Sequence, residues 1–249
     1  MSRLDGKRAL VTGGTRGIGR GIAEGLAAAG ATVGVNHPPG EAAAADAVVE
    51  SIERDGGDAV AFEADVSDAD DVSEMIDAFE SMLGPIDVLV NNAGILTQSP
   101  LAEMPVEMWD ETMAVDLRGV FLTTRFALPG MLEAGNGSIV NVASQLGLEG
   151  GEELVHYSAA KGGVIAMTRA LAREVAPTVR VNAIAPGPVR TELLDDISEE
   201  WRDAKEAELP MDRLGTVNDV VPTAVFLASD ESSYYTGQTL SPDGGDVMH

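Results

Sequence analysis

The sequence predicts one α/β domain built on a doubly wound parallel sheet with helices on both faces. Short Val/Ile-rich runs alternate with longer amphipathic stretches through all 249 residues. The short runs are apolar on both sides, as in strands buried on two faces. No Ser/Pro-rich linker interrupts the alternation, and right-handed crossovers would keep such strands parallel. We therefore expect a single Rossmann-type domain over residues 1–249 with a seven-stranded sheet.

The elements follow from these patterns in chain order. Strands are predicted at Arg8–Val11, Thr32–Val35, Ala59–Glu63, Val88–Val90, Ser138–Val142, Arg180–Ile184 and around Gln238–Leu240. Helices are predicted at Gly17–Ala29, Glu41–Arg54, Ala69–Leu83, Val106–Leu132, His156–Ala176 and Val217–Ser229. Residues 192–213 mix apolar side chains with many acids, which is typical of an amphipathic substrate lid. Within this segment Leu193, Leu194 and Ile197 are candidates to cover an acyl chain.

The charge balance excludes several classes of protein. The chain has 16 Lys and Arg against 41 Asp and Glu, a formal charge of −25. Nucleic acids and anionic membranes need neutralising cations, so neither is an expected partner. No apolar run approaches the roughly 20 residues of a membrane span, and no cysteine supplies a disulfide or a thiolate metal ligand. We expect a cytoplasmic protein without a metal site.

The acids are spread along nearly every segment, while only three residues are lysine: Lys7, Lys161 and Lys205. Like charges at this density repel each other at ordinary ionic strength. At about 1 M salt the Debye length falls to about 3 Å and most of the repulsion is screened. The composition therefore indicates a halophilic protein.

A glycine-rich loop follows the first predicted strand and opens a helix. It contains Gly13, Gly17 and Gly19, and Thr15, Arg16 and Ile18 lie between them. Gly13 permits a tight turn, Gly17 allows a phosphate to approach the backbone, and Gly19 lets the helix pack on the strand. The helix N-terminus would then face a pyrophosphate. The loop predicts binding of a dinucleotide.

The end of the second predicted strand indicates which dinucleotide binds. An acid there would bind the ribose 2′-hydroxyl of NAD, whereas a nearby cation would bind the 2′-phosphate of NADP. This chain has Asn36 and His37 but no acid at that point, and Arg16 lies in the glycine loop. NADP(H) is therefore favoured. NAD(H) remains an alternative because Asn36 and His37 could bond a ribose hydroxyl.

Two further segments follow predicted strands on the same edge of the sheet. The carboxylate of Asp65, next to Val66, could accept a hydrogen bond from an adenine amino group. Asn91, Ala93 and Gly94 follow the fourth strand, where small residues would let the backbone approach a ribose. These residues complete a candidate dinucleotide site.

Three residues carry the predicted chemistry. Tyr157 and Lys161 are four positions apart on a predicted helix, so their side chains share one face. An ammonium beside a phenol lowers the phenol pKa from about 10 toward neutrality, which suits proton exchange with a carbonyl or alcohol. Ser144 follows the strand Ser138–Val142, where its hydroxyl could bond a substrate oxygen.

The chain resembles the short-chain dehydrogenase/reductase family over nearly its whole length. The resemblance rests on Thr12-Gly13, Gly17-Ile18-Gly19, Asp65, Asn91-Asn92-Ala93-Gly94, Ser144, Tyr157 with Lys161, and Pro186-Gly187-Pro188-Val189-Arg190-Thr191. It implies hydride transfer between a nicotinamide and a ketone or secondary alcohol. It also implies an acid/base role for Tyr157, with Lys161 lowering its pKa and binding the nicotinamide ribose, and Ser144 orienting the substrate oxygen. The segment with Pro186, Gly187, Val189 and Thr191 would contact the nicotinamide, and Asp65 and Val66 the adenine.

The resemblance also indicates two possible substrate classes and an oligomeric state. It covers both 3-oxoacyl-thioester reductases and glucose-type dehydrogenases, which the sequence does not separate. A non-catalytic dinucleotide sensor is the alternative of another class, although such a protein would not need Ser144, Tyr157 and Lys161 together. Two predicted helices, Val106–Leu132 and His156–Ala176, carry excess apolar surface. The resemblance implies homodimers or homotetramers that assemble through these helices, and we expect a homotetramer here.

The chain departs from the family pattern at Asp116, where asparagine is usual. In the family this residue acts largely through its backbone carbonyl, which helps hold a water linked to the lysine. Aspartate keeps that carbonyl, so we expect activity to survive. A carboxylate at this point could still alter proton transfer, which makes Asp116 a candidate catalytic residue.

The halophilic composition predicts that salt stabilises the fold. Raising KCl from about 0.1 M to about 2 M should raise the melting temperature by roughly 5 °C or more, because repulsion among the acids is screened. Thermal melts followed by circular dichroism measure this. A melting temperature that is equal or lower at high salt would refute the expectation.

Overall fold

Seven parallel strands form the centre of the protein in the computed structural model, which describes residues 3–192 and 198–248. The strands are β1 (Arg8–Val11), β2 (Thr32–His37), β3 (Asp58–Glu63), β4 (Val88–Asn91), β5 (Gly137–Val142), β6 (Val179–Ile184) and β7 (Thr239–Leu240). Their order in the sheet is β3-β2-β1-β4-β5-β6-β7, and every neighbouring pair is parallel. The predicted doubly wound sheet is confirmed.

Helices connect the strands and cover both faces of the sheet. They are α1 (Gly17–Ala28), α2 (Ala42–Arg54), α3 (Ala69–Leu83), α4 (Val106–Met113), α5 (Gly119–Ala134), α6 (Leu146–Glu149), α7 (Val155–Val175), α8 (Glu199–Glu208) and α9 (Val217–Ala228). A 3₁₀ turn, Asp230–Ser232, follows α9. Residues 193–197 lie outside the described residues, and with them Leu193, Leu194 and Ile197 of the predicted lid.

Alternation along the strands divides the core into two layers. In β1, Ala9 and Val11 pack with α1, α2 and α9, whereas Leu10 packs with α3 and α5 on the opposite face. Successive side chains of a strand point to opposite faces, so an apolar run fills both layers. This is why the buried strands read as continuous apolar runs in the sequence.

The predicted helix Val106–Leu132 is interrupted by one π-helical turn. Residues Ala114–Arg118 form this turn between α4 and α5. A π turn accommodates an extra residue in a helix and is frequent at functional sites. Here it contains Asp116, whose side chain is fully buried. Periodicity alone did not reveal the interruption.

The strand order reverses between β1 and β4, which are neighbours in the sheet although β2 and β3 separate them in sequence. From this point the connections run to opposite faces, which opens a crevice at the carboxyl ends of the strands. Open α/β sheets bind ligands in such a crevice. The glycine loop after β1 and the segments after β4 and β5 all open onto it.

Candidate active site

A cleft of about 980 Å³ occupies the crevice at the carboxyl edge of the sheet. The predicted site residues in its wall are Gly13, Thr15, Arg16, Gly17, Ile18, Gly19, Asn36, Asp65, Val66, Ala93, Gly94, Asp116, Ser144, Tyr157, Lys161, Pro186, Gly187, Val189 and Thr191. The structure thus brings together segments from most of the chain. His37 and Asn91 are the two predicted site residues that it does not place in the cleft wall.

The glycine loop has no room for side chains at two positions. Gly13 has φ +61°, and a Cβ there would lie 2.8 Å from Ala93 Cα. A Cβ on Gly19 would lie 2.1 Å from the carbonyl oxygen of Gly13, which shows how closely α1 packs on the loop. No side chain caps α1, and no acid lies in its first turn. Its N-terminal N–H groups therefore face a cradle that suits an anionic group.

Strand β2 continues through Asn36 and His37 and sends their side chains to opposite sides. Asn36 is buried; its Oδ1 accepts a hydrogen bond from the Gly13 N–H at 3.3 Å, and its Nδ2 donates to the Ala64 carbonyl at 3.1 Å. The ring Nδ1 of His37 lies 3.0 Å from the Pro38 carbonyl oxygen. Asn36 thus braces the glycine loop, and His37 lies outside the cleft wall.

The side chain of Asn91, like that of Asn36, makes buried hydrogen bonds within the protein. Its Nδ2 donates to the Asn141 Oδ1 at 2.8 Å and to the Thr124 hydroxyl at 3.0 Å, and its Oδ1 accepts from Thr123. All four side chains are buried between the sheet and α5. The sequence analysis did not assign the neighbouring Asn92, which lines the cleft and donates to the carbonyls of Thr12 and Gly13.

The cleft contains, beside the glycine loop, an acid that was not predicted as a site residue. Glu41 lines the cleft, and its Oε1 lies 3.1 Å from Arg16 Nη1. Its Oε2 accepts a hydrogen bond from the Thr15 hydroxyl at 2.7 Å. Glu41 was predicted only as the start of a helix. The turn-forming residues Pro38-Pro39-Gly40 before it were the one signal in the sequence that its side chain could face the cleft. Across the cleft, Asp65 Oδ1 accepts from the N–H and hydroxyl of Ser67.

Ser144, Tyr157 and Lys161 converge in the cleft from β5 and α7. Ser144 is the second residue beyond β5, and its Oγ accepts a hydrogen bond from the Leu146 N–H at 3.1 Å. Lys161 is buried; its Nζ donates to the Val142 carbonyl at 3.3 Å and lies 5.5 Å from the centre of the Tyr157 ring. The predicted i,i+4 arrangement on one helix is observed.

Asp116 contacts the lysine through its carboxylate rather than only through its backbone. Asp116 Oδ2 lies 3.1 Å from Lys161 Nζ, and its Oδ1 accepts a hydrogen bond from the Ile95 N–H at 2.8 Å. Both members of this ion pair are buried. Burial alone would lower the pKa of Lys161, but Asp116 and Tyr157 hold that pKa above its usual value. Lys161 therefore stays an ammonium.

The phenol is shifted in the direction opposite to the one predicted. Burial raises the pKa of Tyr157, and Asp116 adds to this rise; Lys161 and Ser144 oppose it without reversing it. The i,i+4 spacing indicated only the neighbouring ammonium. The structure adds the burial of the phenol and a carboxylate that offsets the ammonium. Tyr157 is therefore held as a protonated phenol, which can donate a proton to a carbonyl oxygen.

A polar cluster at the cleft connects the start of α6, α8 and the C-terminal segment. Asp246 accepts hydrogen bonds from Gln145 Nε2 at 2.6 Å and from Lys205 Nζ at 2.9 Å. Lys205 belongs to α8, so this cluster fixes α8 beside Gln145, the neighbour of Ser144. Burial, followed by the charge of Asp246, raises the pKa of Glu149 in the same wall.

Comparison with known proteins assigns the family. A family model described as Enoyl-(acyl carrier protein) reductase matches residues 13–246. The 3-oxoacyl-(acyl-carrier-protein) reductase FabG of Staphylococcus aureus (strain Mu50) is 43% identical over 243 residues, which cover 97% of this chain and 98% of the relative. The chain belongs to the short-chain dehydrogenase/reductase family. It is an oxidoreductase that acts on CH–OH groups.

Solved structures of the family share the fold closely. A short-chain type dehydrogenase/reductase from Mycobacterium marinum has a TM-score of 0.92 at 35% identity, covering 99% of this chain and 97% of that one. A gluconate 5-dehydrogenase from Burkholderia cenocepacia J2315, in complex with NADP and tartrate, has a TM-score of 0.93 at 36% identity, covering 98% and 96%. Over residues 3–192 and 198–248, no helix is long and apolar enough to cross a membrane.

Proposed function

We propose that this short-chain dehydrogenase/reductase is an NAD(P)(H)-dependent reductase of 3-oxoacyl thioesters, and that NADP(H) is its preferred cofactor. The observation that carries this proposal is the convergence of the half-buried Tyr157 phenol with Ser144 and Lys161 in the cleft, because a reductase needs a proton donor for the carbonyl oxygen. The similarity to the S. aureus reductase supports the thioester, and the NADP complex of the Burkholderia neighbour supports the cofactor.

The residues in the cleft fit a dinucleotide. A Cβ would fill the cradle at Gly13 and Gly19, the N-terminus of α1 is uncapped, and Arg16 supplies a cation at the adenine end. We assign the cofactor to the predicted residues of the cleft wall: Gly13, Thr15, Arg16, Gly17, Ile18, Gly19, Asp65, Val66, Ala93, Gly94, Tyr157, Lys161, Pro186, Gly187, Val189 and Thr191, with Asn36 acting through the loop. When bound, NADPH supplies the hydride.

In reduction, the phenol of Tyr157 gives its proton to the substrate oxygen. The Ser144 hydroxyl donates a hydrogen bond to that oxygen, which polarises the carbonyl and places it next to the phenol. Lys161 has three donors, of which one is used by the Val142 carbonyl and one by Asp116, so the third can bind a ribose hydroxyl. Its ammonium stabilises the phenolate that proton transfer leaves on Tyr157. Asp116 keeps Lys161 charged and in place.

One contact favours the second candidate, a glucose-type sugar dehydrogenase. The Gln145 amide is fixed by Asp246, which must accept from Nε2, so Oε1 faces the other way. This oxygen is buried without a hydrogen-bond partner, in a residue of the cleft wall adjacent to Ser144. A hydroxyl-bearing substrate would supply a donor, because buried acceptors are normally satisfied. A non-catalytic sensor, the remaining alternative, would not need the proton donor.

We further propose one domain over residues 1–249 with a lid around 192–213, a cytoplasmic and halophilic enzyme, and a homotetramer. The tetramer is supported by exposed apolar side chains on the helices that the sequence analysis selected. Val106 and Phe121 are 69% and 51% exposed, and Leu132 and Val155 are also exposed. Apolar surface of this kind on two long helices suits burial against another subunit.

Replacing Tyr157 with phenylalanine tests the proposed chemistry. Tyr157→Phe should lower kcat for reduction of 3-oxobutanoyl thioester by about 10²- to 10⁴-fold, because the proton donor is lost. NADPH affinity, measured by nicotinamide fluorescence, should change less than about threefold because the ring remains. Tyr234→Phe, at a fully exposed tyrosine, is the matched control.

The same assay separates the candidates. Full turnover by Tyr157→Phe would contradict the proposed role of Tyr157. Faster oxidation of glucose than reduction of the thioester by the wild type would favour the sugar dehydrogenase. Cofactor binding without turnover of either substrate would favour the sensor.

Replacing Asp116 with asparagine tests how the carboxylate affects proton transfer. The negative charge raises the Tyr157 pKa, so Asp116→Asn should lower that pKa. Reduction needs the protonated phenol and declines as pH rises through the pKa. The alkaline decline of kcat/KM should therefore move to lower pH in the variant, whereas Asp110→Asn, at an exposed position of α4, should not move it. An unchanged profile for Asp116→Asn would show that the carboxylate takes no part.

Light scattering in about 2 M KCl tests the assembly at a salt concentration where repulsion between acidic subunits is screened. We expect a mass of four chains of 25.8 kDa. A monomeric mass would refute the tetramer.

A further inference from the structure

Glu41 occupies the end of the cleft where the adenosine ribose of a dinucleotide is expected. Its two carboxylate oxygens are both engaged by the glycine loop, one by the Thr15 hydroxyl at 2.7 Å and the other by Arg16 at 3.1 Å. The Glu41 side chain is 25% exposed and that of Arg16 is 68% exposed. The cation assigned to a ribose phosphate is therefore already paired with an acid of this chain.

The position of this carboxylate follows from the turn after β2. Pro38 and Pro39 end the strand, and Gly40 reverses the chain with φ +90°. Glu41 then immediately precedes α2, at its N-cap position. It makes no capping hydrogen bond to α2. Its carboxylate instead reaches across to the glycine loop and forms part of the cleft wall.

Asn36 does not compete for the ribose at this end of the cleft. Its side-chain amide is buried and is used by Gly13, Phe62 and Ala64. Dinucleotide sites that select NAD place an acid near the end of the second strand to bind the ribose 2′-hydroxyl. Glu41 brings an acid to this region from five residues beyond Asn36. Arg16 and Thr15 are the donors that a 2′-phosphate would require there.

We infer that Glu41 limits the preference of this enzyme for NADP(H) over NAD(H). Its carboxylate is placed to accept a hydrogen bond from the ribose 2′-hydroxyl of NAD(H). A 2′-phosphate must instead displace Glu41 from Arg16 and Thr15, so the same carboxylate weakens binding of NADP(H). This inference rests on the proposed dinucleotide-dependent function, and it assigns the cofactor selectivity to a residue outside the glycine motif.

The test measures dissociation constants for NADPH and NADH by nicotinamide fluorescence without substrate, at the salt concentration that gives the highest melting temperature. Glu41→Gln should tighten NADPH binding by about tenfold and leave NADH binding unchanged or weakened up to about threefold. Glu24→Gln is the matched control. Glu24 forms an ion pair of similar length, 2.9 Å, with Arg20 on α1 but does not line this cleft. It should change neither constant.

The Arg16→Gln variant and the Arg16→Gln/Glu41→Gln double variant test whether Glu41 weakens NADPH binding by pairing with Arg16. Competition for Arg16 predicts that Glu41→Gln tightens NADPH binding less than about twofold when Arg16 is already glutamine, since interacting residues are not additive. The inference is overturned if Glu41→Gln shifts the two dissociation constants equally, leaves their ratio within about twofold, or acts equally in the Arg16→Gln background. A wild type that binds neither cofactor would overturn the proposed function itself, whereas binding of both with an unchanged ratio would overturn only the role of Glu41.

Discussion

The buried ion pair between Lys161 and Asp116 is the interaction on which the catalytic end of the cleft depends. Through Lys161 it ties α7 to the end of β5, and through Asp116 it ties the π turn to the loop after β4. Removing one member of a buried ion pair typically costs about 3–5 kcal/mol, because the other charge is left uncompensated. The pair therefore fixes the geometry around Tyr157 and also its electrostatics, since the carboxylate offsets the ammonium beside the phenol.

The same pairing recurs along the whole cleft. Among the described residues of its wall, the cations are Arg16, Lys161 and Lys205. Each forms an ion pair with an acid of the same chain: Glu41, Asp116 and Asp246, respectively. In a chain of charge −25, the cleft therefore presents few unpaired cations to an anionic ligand. The phosphate groups of a ligand must therefore be bound by the N-terminus of α1 and by backbone N–H groups, or must displace the acids from these ion pairs.

Much of the fold and of the catalytic group could be predicted from the sequence, because both depend on patterns that tertiary structure preserves. Parallel strands place their carboxyl ends at one edge, so Ser144 after β5 and Tyr157 and Lys161 at the start of α7 had to lie near the glycine loop. The direction of side chains within the elements was less predictable. Asn36 and Asn91 resemble cofactor ligands in sequence, yet their amides serve buried hydrogen bonds.

The path of a short turn and the balance of burial against charge were also beyond pattern reasoning. Glu41 reaches the glycine loop only because of the turn at Pro38-Pro39-Gly40. The pKa of Tyr157 depends on how deeply the ring is buried and on Asp116, which the i,i+4 spacing to Lys161 does not reveal. Desolvation is the largest influence on this pKa and raises it, Lys161 lowers it, and Asp116 opposes Lys161.

Direct titration of Tyr157 tests the central claim, that burial and Asp116 hold this phenol protonated as the proton donor. The chain has three tyrosines, so the difference in tyrosinate absorbance between the wild type and Tyr157→Phe isolates this one from Tyr234 and Tyr235. In the cofactor-free protein we expect Tyr157 to ionise above the ordinary phenol pKa of about 10. Ionisation well below that value, toward neutrality, would contradict the account.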